Sequence, residues 1–152
     1  MIIQTPAQMR ELGARVAGMC QPGDVIILVG DLGAGKTTFV QGMGHAFGVR
    51  EPITSPTFVI SRIHEGEPGW RLIHIDAYRL TSGVELDDLD LDVELESGIA
   101  VVEWGEGYAE RLAADRLVIS IDVLASDDRE VQIRGTGPRW TDLNLASLVA
   151  SE

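Results

Sequence analysis

The chain has 152 residues, 45% of them hydrophobic and 24% charged, which is enough to close a core as one domain, 1–152, of ordinary soluble composition. No apolar run approaches the ~20 residues that span a bilayer, the amino terminus Met1-Ile2-Ile3-Gln4-Thr5-Pro6 lacks the pattern of a signal peptide, and the single cysteine, Cys20, excludes an internal disulfide or a cysteine-built zinc site, so the expectation is a cytoplasmic protein that meets no membrane. The formal net charge of -12 repels phosphate backbones at long range, so work on a polynucleotide would need a partner to hold it.

Thr5 as an N-cap, Pro6 at the first helical position and the stripe Met9, Leu12, Val16, Met19 predict a helix over 5–19. Gln21-Pro22-Gly23-Asp24 turns the chain into Val25-Ile26-Ile27-Leu28-Val29, an apolar run that reads as a fully buried strand. Gly30-Asp31-Leu32-Gly33-Ala34-Gly35-Lys36-Thr37 follows, a complete G-x-x-x-x-G-K-[ST] phosphate-binding loop. A proline-free helix over 37–47 comes next, with Gly48 as its terminator. In that strand–loop–helix context the glycines let backbone N–H groups and the positive helix end wrap a phosphate. Lys36 would reach the β- and γ-phosphates of a nucleotide, and the Thr37 hydroxyl would hold Mg²⁺. The bland alternative is a chance glycine-rich turn. Against it, eleven of the twelve basic residues are arginine, and the one lysine stands where a compact ammonium fits and a planar fork does not.

Thr54-Ser55-Pro56-Thr57 is a polar loop that its proline keeps from being helix. Two strand-like stretches, 58–63 and 71–75, flank His64-Glu65-Gly66-Glu67-Pro68-Gly69 and predict an antiparallel hairpin. Glu85–Leu95, with Leu86, Leu89 and Val93 at helical spacing, reads as one or two short helices with a solvated acidic face; its aspartates lack the glycine of a calcium loop. Ile99–Val102 is a buried strand, Tyr108–Leu112 begins a short helix, and 117–123 with 130–134 form a hairpin around Ser126-Asp127-Asp128. Trp140, Leu143, Leu148 and Val149 line one side of a terminal helix. Strands and helices alternating behind a phosphate loop predict an α/β three-layer sandwich, its sheet mostly parallel with antiparallel strands added.

Ligands of such sheets gather beyond the carboxyl ends of the strands. Asp76 follows the strand 71–75 and Glu103 follows 99–102, where an acid could hold Mg²⁺ or polarise an attacking water; a plain surface acid is the alternative for each. His74 shares a strand face with Asp76, and a packed structural role competes with a chemical one. Thr57 could act as a switch threonine on Mg²⁺ or the γ-phosphate, or be an ordinary loop residue.

Four segments in order, Gly30 to Thr38, Ser55-Pro56-Thr57-Phe58, His74-Ile75-Asp76-Ala77-Tyr78-Arg79-Leu80 and Glu103-Trp104-Gly105-Glu106, resemble the TsaE (YjeE) family of small bacterial P-loop ATPases over about residues 5–140. The resemblance implies a P-loop NTPase-like α/β domain and a Mg²⁺-dependent ATPase. Acting with the TsaB and TsaD proteins, it would serve threonylcarbamoylation of adenosine 37 in tRNAs reading ANN codons, touching tRNA only through the complex. By motif position, Leu32, Gly33, Ala34, Gly35, Lys36, Thr37 and Thr38 would bind ATP, Thr37 and Glu103 would ligate Mg²⁺, and Asp76 would orient the water. Thr57 would be the switch threonine, Trp104 the motif aromatic, and Thr5 and Arg134 would flank the base. Gly105 departs from the proline or alanine more usual there, which loosens the posture of Glu106. A small-molecule kinase is the alternative enzyme, but the segment placed to be its lid, Glu85–Glu96, is acidic and has no arginine. A GTPase switch lacks its N-K-x-D motif, because Lys36 is the only lysine.

Overall fold

A run of five apolar residues needs cover on both sides, and β2 receives it from a two-faced sheet. The computed structural model describes residues 1–56, 61–77, 90–104 and 113–149. Seven strands form one sheet: β1 (Ile2–Ile3), β2 (Val25–Val29), β3 (Ser61–Glu65), β4 (Arg71–Asp76), β5 (Gly98–Glu103), β6 (Arg116–Val123) and β7 (Arg129–Thr136). Their order is β1-β7-β6-β2-β5-β4-β3. The central four run parallel, and β3, β7 and β1 join antiparallel at the edges.

The described helices are α1 (Pro6–Ala17), α2 (Lys36–Ala46), α3 (Leu91–Leu95), α4 (Pro138–Thr141) and α5 (Ala146–Val149). Side chains alternate along each strand, so Ile26, Leu28, Leu72, Ile99, Val101 and Ile119 meet Met9, Leu12, Val16, Phe39 and Met43 of α1 and α2 on one face. On the other, Val25, Ile27, Ile73, Ile75 and Val102 meet Leu91 and Leu95 of α3. This is the three-layer α/β arrangement, with the phosphate loop at the carboxyl end of its central strand.

Thr5 caps α1 as its sequence predicts. Its Oγ1 accepts from the Gln8 N–H at 3.2 Å, and Gln8 Oε1 accepts from the Thr5 N–H at 3.2 Å. The backbones of α1 and α2 then touch. A Cβ on Gly13 would lie 2.1 Å from the Phe39 carbonyl oxygen, and one on Gly42 would lie 2.0 Å from that of Arg10. A buried ion pair fastens the carboxyl-terminal segment: Asp24 accepts from Arg139 Nε at 3.1 Å and Nη2 at 2.9 Å, and the same Nη2 donates to the Met19 carbonyl at 2.6 Å.

Three expectations change and one element is added. Residues 2–3 pair with β7 as a strand that so short a segment could not announce. Val93 is 66% exposed, whereas Leu91 and Leu95 are buried, because α3 starts at Leu91 and turns Val93 outward. The terminal helix is two short pieces, α4 and α5, that bury Trp140 and Leu148. Arg134 is placed away from the phosphate loop, as described below. The readings on Thr57, Phe58–Ile60, Tyr78–Leu89 and Gly105–Leu112 fall outside the described residues.

Candidate functional site

Gly30 leaves β2 where a side chain has no room, since its Cβ would sit 2.6 Å from the Ile121 carbonyl oxygen. Gly33 and Gly35 take φ of 81° and 114°, the left-handed region that other residues avoid. Gly35 is the N-cap of α2 and supplies no capping side chain, which leaves the first turn of an eleven-residue helix facing the loop. Lys36 is buried, at 5% exposure, and its Nζ donates to the carbonyls of Gly30 at 2.6 Å and Asp31 at 2.9 Å. The same ammonium lies 4.1 Å from the centre of the Trp104 ring. Burial holds its pKa below the usual lysine range, and Glu103, Asp76 and Asp31 oppose that shift.

The carboxylates come from register. Asp76 on β4 pairs with Glu103 on β5, and both face the α1–α2 side because they continue the alternation Leu72–His74–Asp76 and Ile99–Val101–Glu103. Their exposures are 6% and 4%. His74 Nε2 lies 2.5 Å from Glu103 Oε2, so the histidine that sequence left between packing and chemistry braces a carboxylate. Trp104 then takes φ of 60°, a strained value for a bulky residue, and donates its N–H to the Leu28 carbonyl at 3.0 Å. A cavity of about 720 Å³ opens over these groups and reaches Leu32, Thr37, Thr38 and Ser55.

A second hollow of about 240 Å³ lies between the start of α1 and the loop, and Thr5, Met9, Ala34, Thr38 and Arg129 line it. Arg129 reaches the loop directly: its Nε donates to the Ala34 carbonyl and its Nη2 to that of Gly33, both at 3.3 Å. Arg134 is not brought here. Five residues along the same strand put it on the opposite face, beside Arg116 and Gln132. The signal that could have chosen Arg129 was its parity with the core residue Val131, one step past the turn.

The large cavity presents three oxygen ligands together: the Thr37 hydroxyl, the Glu103 carboxylate and that of Asp76. Such a set suits a hard divalent cation. Among the described residues no group of three or more His, Cys, Asp or Glu is placed to hold a metal ion. No described helix is long and apolar enough to cross a membrane.

Residues 3–131 match the family model described as "Threonylcarbamoyl adenosine biosynthesis protein TsaE". The tRNA threonylcarbamoyladenosine biosynthesis protein TsaE of Streptomyces coelicolor is 48% identical over 92% of this chain and 99% of its own length. The protein of the same name from Bacillus subtilis is 38% identical over 89% of this chain and 84% of its own. The crystal structure of Bacillus subtilis YdiB superposes with a TM-score of 0.79 at 29% identity, covering 98% of this chain and 92% of that one.

Proposed function

The chain belongs to the TsaE family, and from that premise we propose that it binds ATP with Mg²⁺, hydrolyses it, and so serves formation of threonylcarbamoyladenosine at position 37 of tRNA together with the TsaB and TsaD proteins. The convergence of one lysine, one helix start and two strand-end carboxylates on a single cavity carries this reading.

Backbone N–H groups of the loop and of the first turn of α2 would take the phosphates. Lys36 would exchange the carbonyls of Gly30 and Asp31 for β- and γ-phosphate oxygens, a stronger pairing for an ammonium whose burial otherwise disfavours its charge. The Thr37 hydroxyl and Glu103 would hold Mg²⁺, which when bound neutralises charge on the phosphates. Asp76 would orient the attacking water and accept its proton. The smaller hollow suits the base, with Thr5 on one side and Arg129 on the other, the position that resemblance had given to Arg134. Positioning and electrostatics would do most of the catalytic work. The formal net charge of -12 supports a division of labour in which partner proteins hold the RNA.

Reconstituted tRNA modification with purified partners tests the proposal. Activity should require this chain and vanish with Lys36→Ala, while the variant keeps the wild-type melting temperature. Modification at the wild-type rate with Lys36→Ala would overturn it.

A further inference from the structure

Behind the metal-side carboxylate lie two histidines with no exposure at all, His64 on β3 and His74 on β4. Each gives one ring nitrogen to a carboxylate: His64 Nδ1 to Glu51 Oε1 at 2.6 Å, and His74 Nε2 to Glu103 Oε2 at 2.5 Å. Their other nitrogens, His64 Nε2 and His74 Nδ1, are buried and find no hydrogen-bond partner among the described residues. A carboxylate only accepts, so a ring that carries one proton spends that N–H on its own acid. That leaves two lone pairs on neighbouring rings, and two acceptors cannot satisfy one another. A molecule that donates twice can.

The spacing suits water. The ring centres are 6.5 Å apart with planes inclined by 42°. Where both free nitrogens face the gap, roughly 1.1 Å from centre to nitrogen and about 2.9 Å from nitrogen to oxygen let one water, donating at its near-tetrahedral angle, span ring centres about 6.5 Å apart. We infer that His64 and His74 clasp one internal water, and that the line Glu51–His64–water–His74–Glu103 is a positioning device for Glu103. It ties that carboxylate to residue 51, at the start of the connection that carries Ser55 into the nucleotide cavity. Glu51, His64 and His74 do not line that cavity. Their part is to fix the rotamer and the lone pairs that Glu103 presents. The inference rests on the reading of Glu103 as a Mg²⁺ ligand.

Imidazole ¹⁵N spectra of the metal-free and nucleotide-free protein test the line without any metal. In the singly protonated rings His74 should carry its proton on Nε2 and His64 on Nδ1. The opposite tautomer in either ring would overturn the inference. Mg²⁺ titration of the ADP-loaded protein tests the positioning. His64→Leu should weaken Mg²⁺ about tenfold, as loss of an outer-shell partner does, and Glu51→Gln about two- to threefold. Glu51 is a surface side chain at 55% exposure, so its variant folds even where a core substitution does not. ADP affinity without metal should not change in either variant. If Glu103→Ala loses Mg²⁺ binding while both of these variants keep it, the positioning role fails and the metal reading stands. If Glu103→Ala binds Mg²⁺ like the wild type, the metal reading fails and the positioning role falls with it.

Discussion

Adding one methyl group at Gly13 should damage the phosphate site from the far side of a helix. In isolation Gly→Ala inside a helix is favourable by about 1 kcal/mol. Here the new Cβ would stand 2.1 Å from the Phe39 carbonyl oxygen and 3.1 Å from the Met43 backbone nitrogen, both belonging to α2 and neither able to rotate aside. Ordinary contact begins near 3.4 Å, so the two helices must part by about 1 Å; overpacking of that kind costs about 1–3 kcal/mol, and the rigidity of both partners puts this site at the upper end. Subtracting the propensity gain leaves a net loss of about 2 kcal/mol, or a fall in melting temperature of roughly 4–8 °C at this chain length. The first turn of α2 carries Lys36 and Thr37, so the displacement should also weaken ADP binding. Gly18→Ala is the control. Its φ is -64° and its Cβ would meet nothing nearer than 3.4 Å, so stability should hold or rise slightly. Thermal unfolding and ADP titration of both variants decide the matter. A Gly13→Ala protein as stable as the wild type, with wild-type ADP affinity, would refute the claim that this helix crossing sets the site.

Arg139→Ala should cost about 3 kcal/mol in urea unfolding, because it leaves Asp24, 5% exposed, without its bidentate partner. Arg139→Lys should recover little, since an ammonium cannot reproduce the planar fork. Arg129→Ala should weaken ADP binding about tenfold with or without Mg²⁺, and Arg134→Ala should leave it unchanged; the reverse pattern would return the base-side role to Arg134. Burial, helped by Asp24 and opposed by Arg139, pushes the Cys20 thiol far above its ordinary value. Its stabilising contribution is therefore complete below the unfolded thiol pKa of about 8.5 and is lost as the pH rises through the folded value. Stability should fall with pH in that alkaline window, the slope should shrink in Cys20→Ala, and alkylation of the native thiol should be slow beside that of the unfolded chain.

The phosphate loop, the capped start of α1 and the two strand-end acids were legible because each is a local demand. A left-handed turn needs glycine, a cap needs a hydroxyl, and a buried central strand needs an unbroken apolar run. What stayed hidden depends on partners distant in sequence. Gly13 and Gly42 look like weak helix formers until α1 lies on α2. The brace between His74 and Glu103 exists only once β4 and β5 are neighbours in one register. Arg129 and Arg134 lie on opposite faces of one strand, and their parity with Val131 decides between them only once Val131 is known to face the core. Val93 was misassigned for a similar reason, since starting the helix at Leu91 rotates every later position.

The charges at the cavity bear on how nucleotide and metal would enter it. Asp76 and Glu103 are buried side by side on adjacent strands, and Asp31 stands at the loop. Among the described residues Lys36 is a cation on which all three acids act. A polyphosphate arriving alone would add negative charge where two carboxylates already crowd; at roughly 6 Å and an effective dielectric of about 20, each unit-charge pair repels by about 3 kcal/mol before solvent relaxes it. A divalent cation reverses the sign of that encounter, so metal and nucleotide should each raise the affinity for the other by the same factor. Removing Glu103 therefore has two opposite effects. Glu103→Ala should bind ADP several-fold more tightly than the wild type in excess chelator, and should gain far less than the wild type when Mg²⁺ is restored. Titration calorimetry in both conditions reads the two signs separately. Weaker ADP binding by the variant in chelator would mean that Glu103 supports the loop directly, and that repulsion between acids and phosphates does not couple metal to nucleotide here.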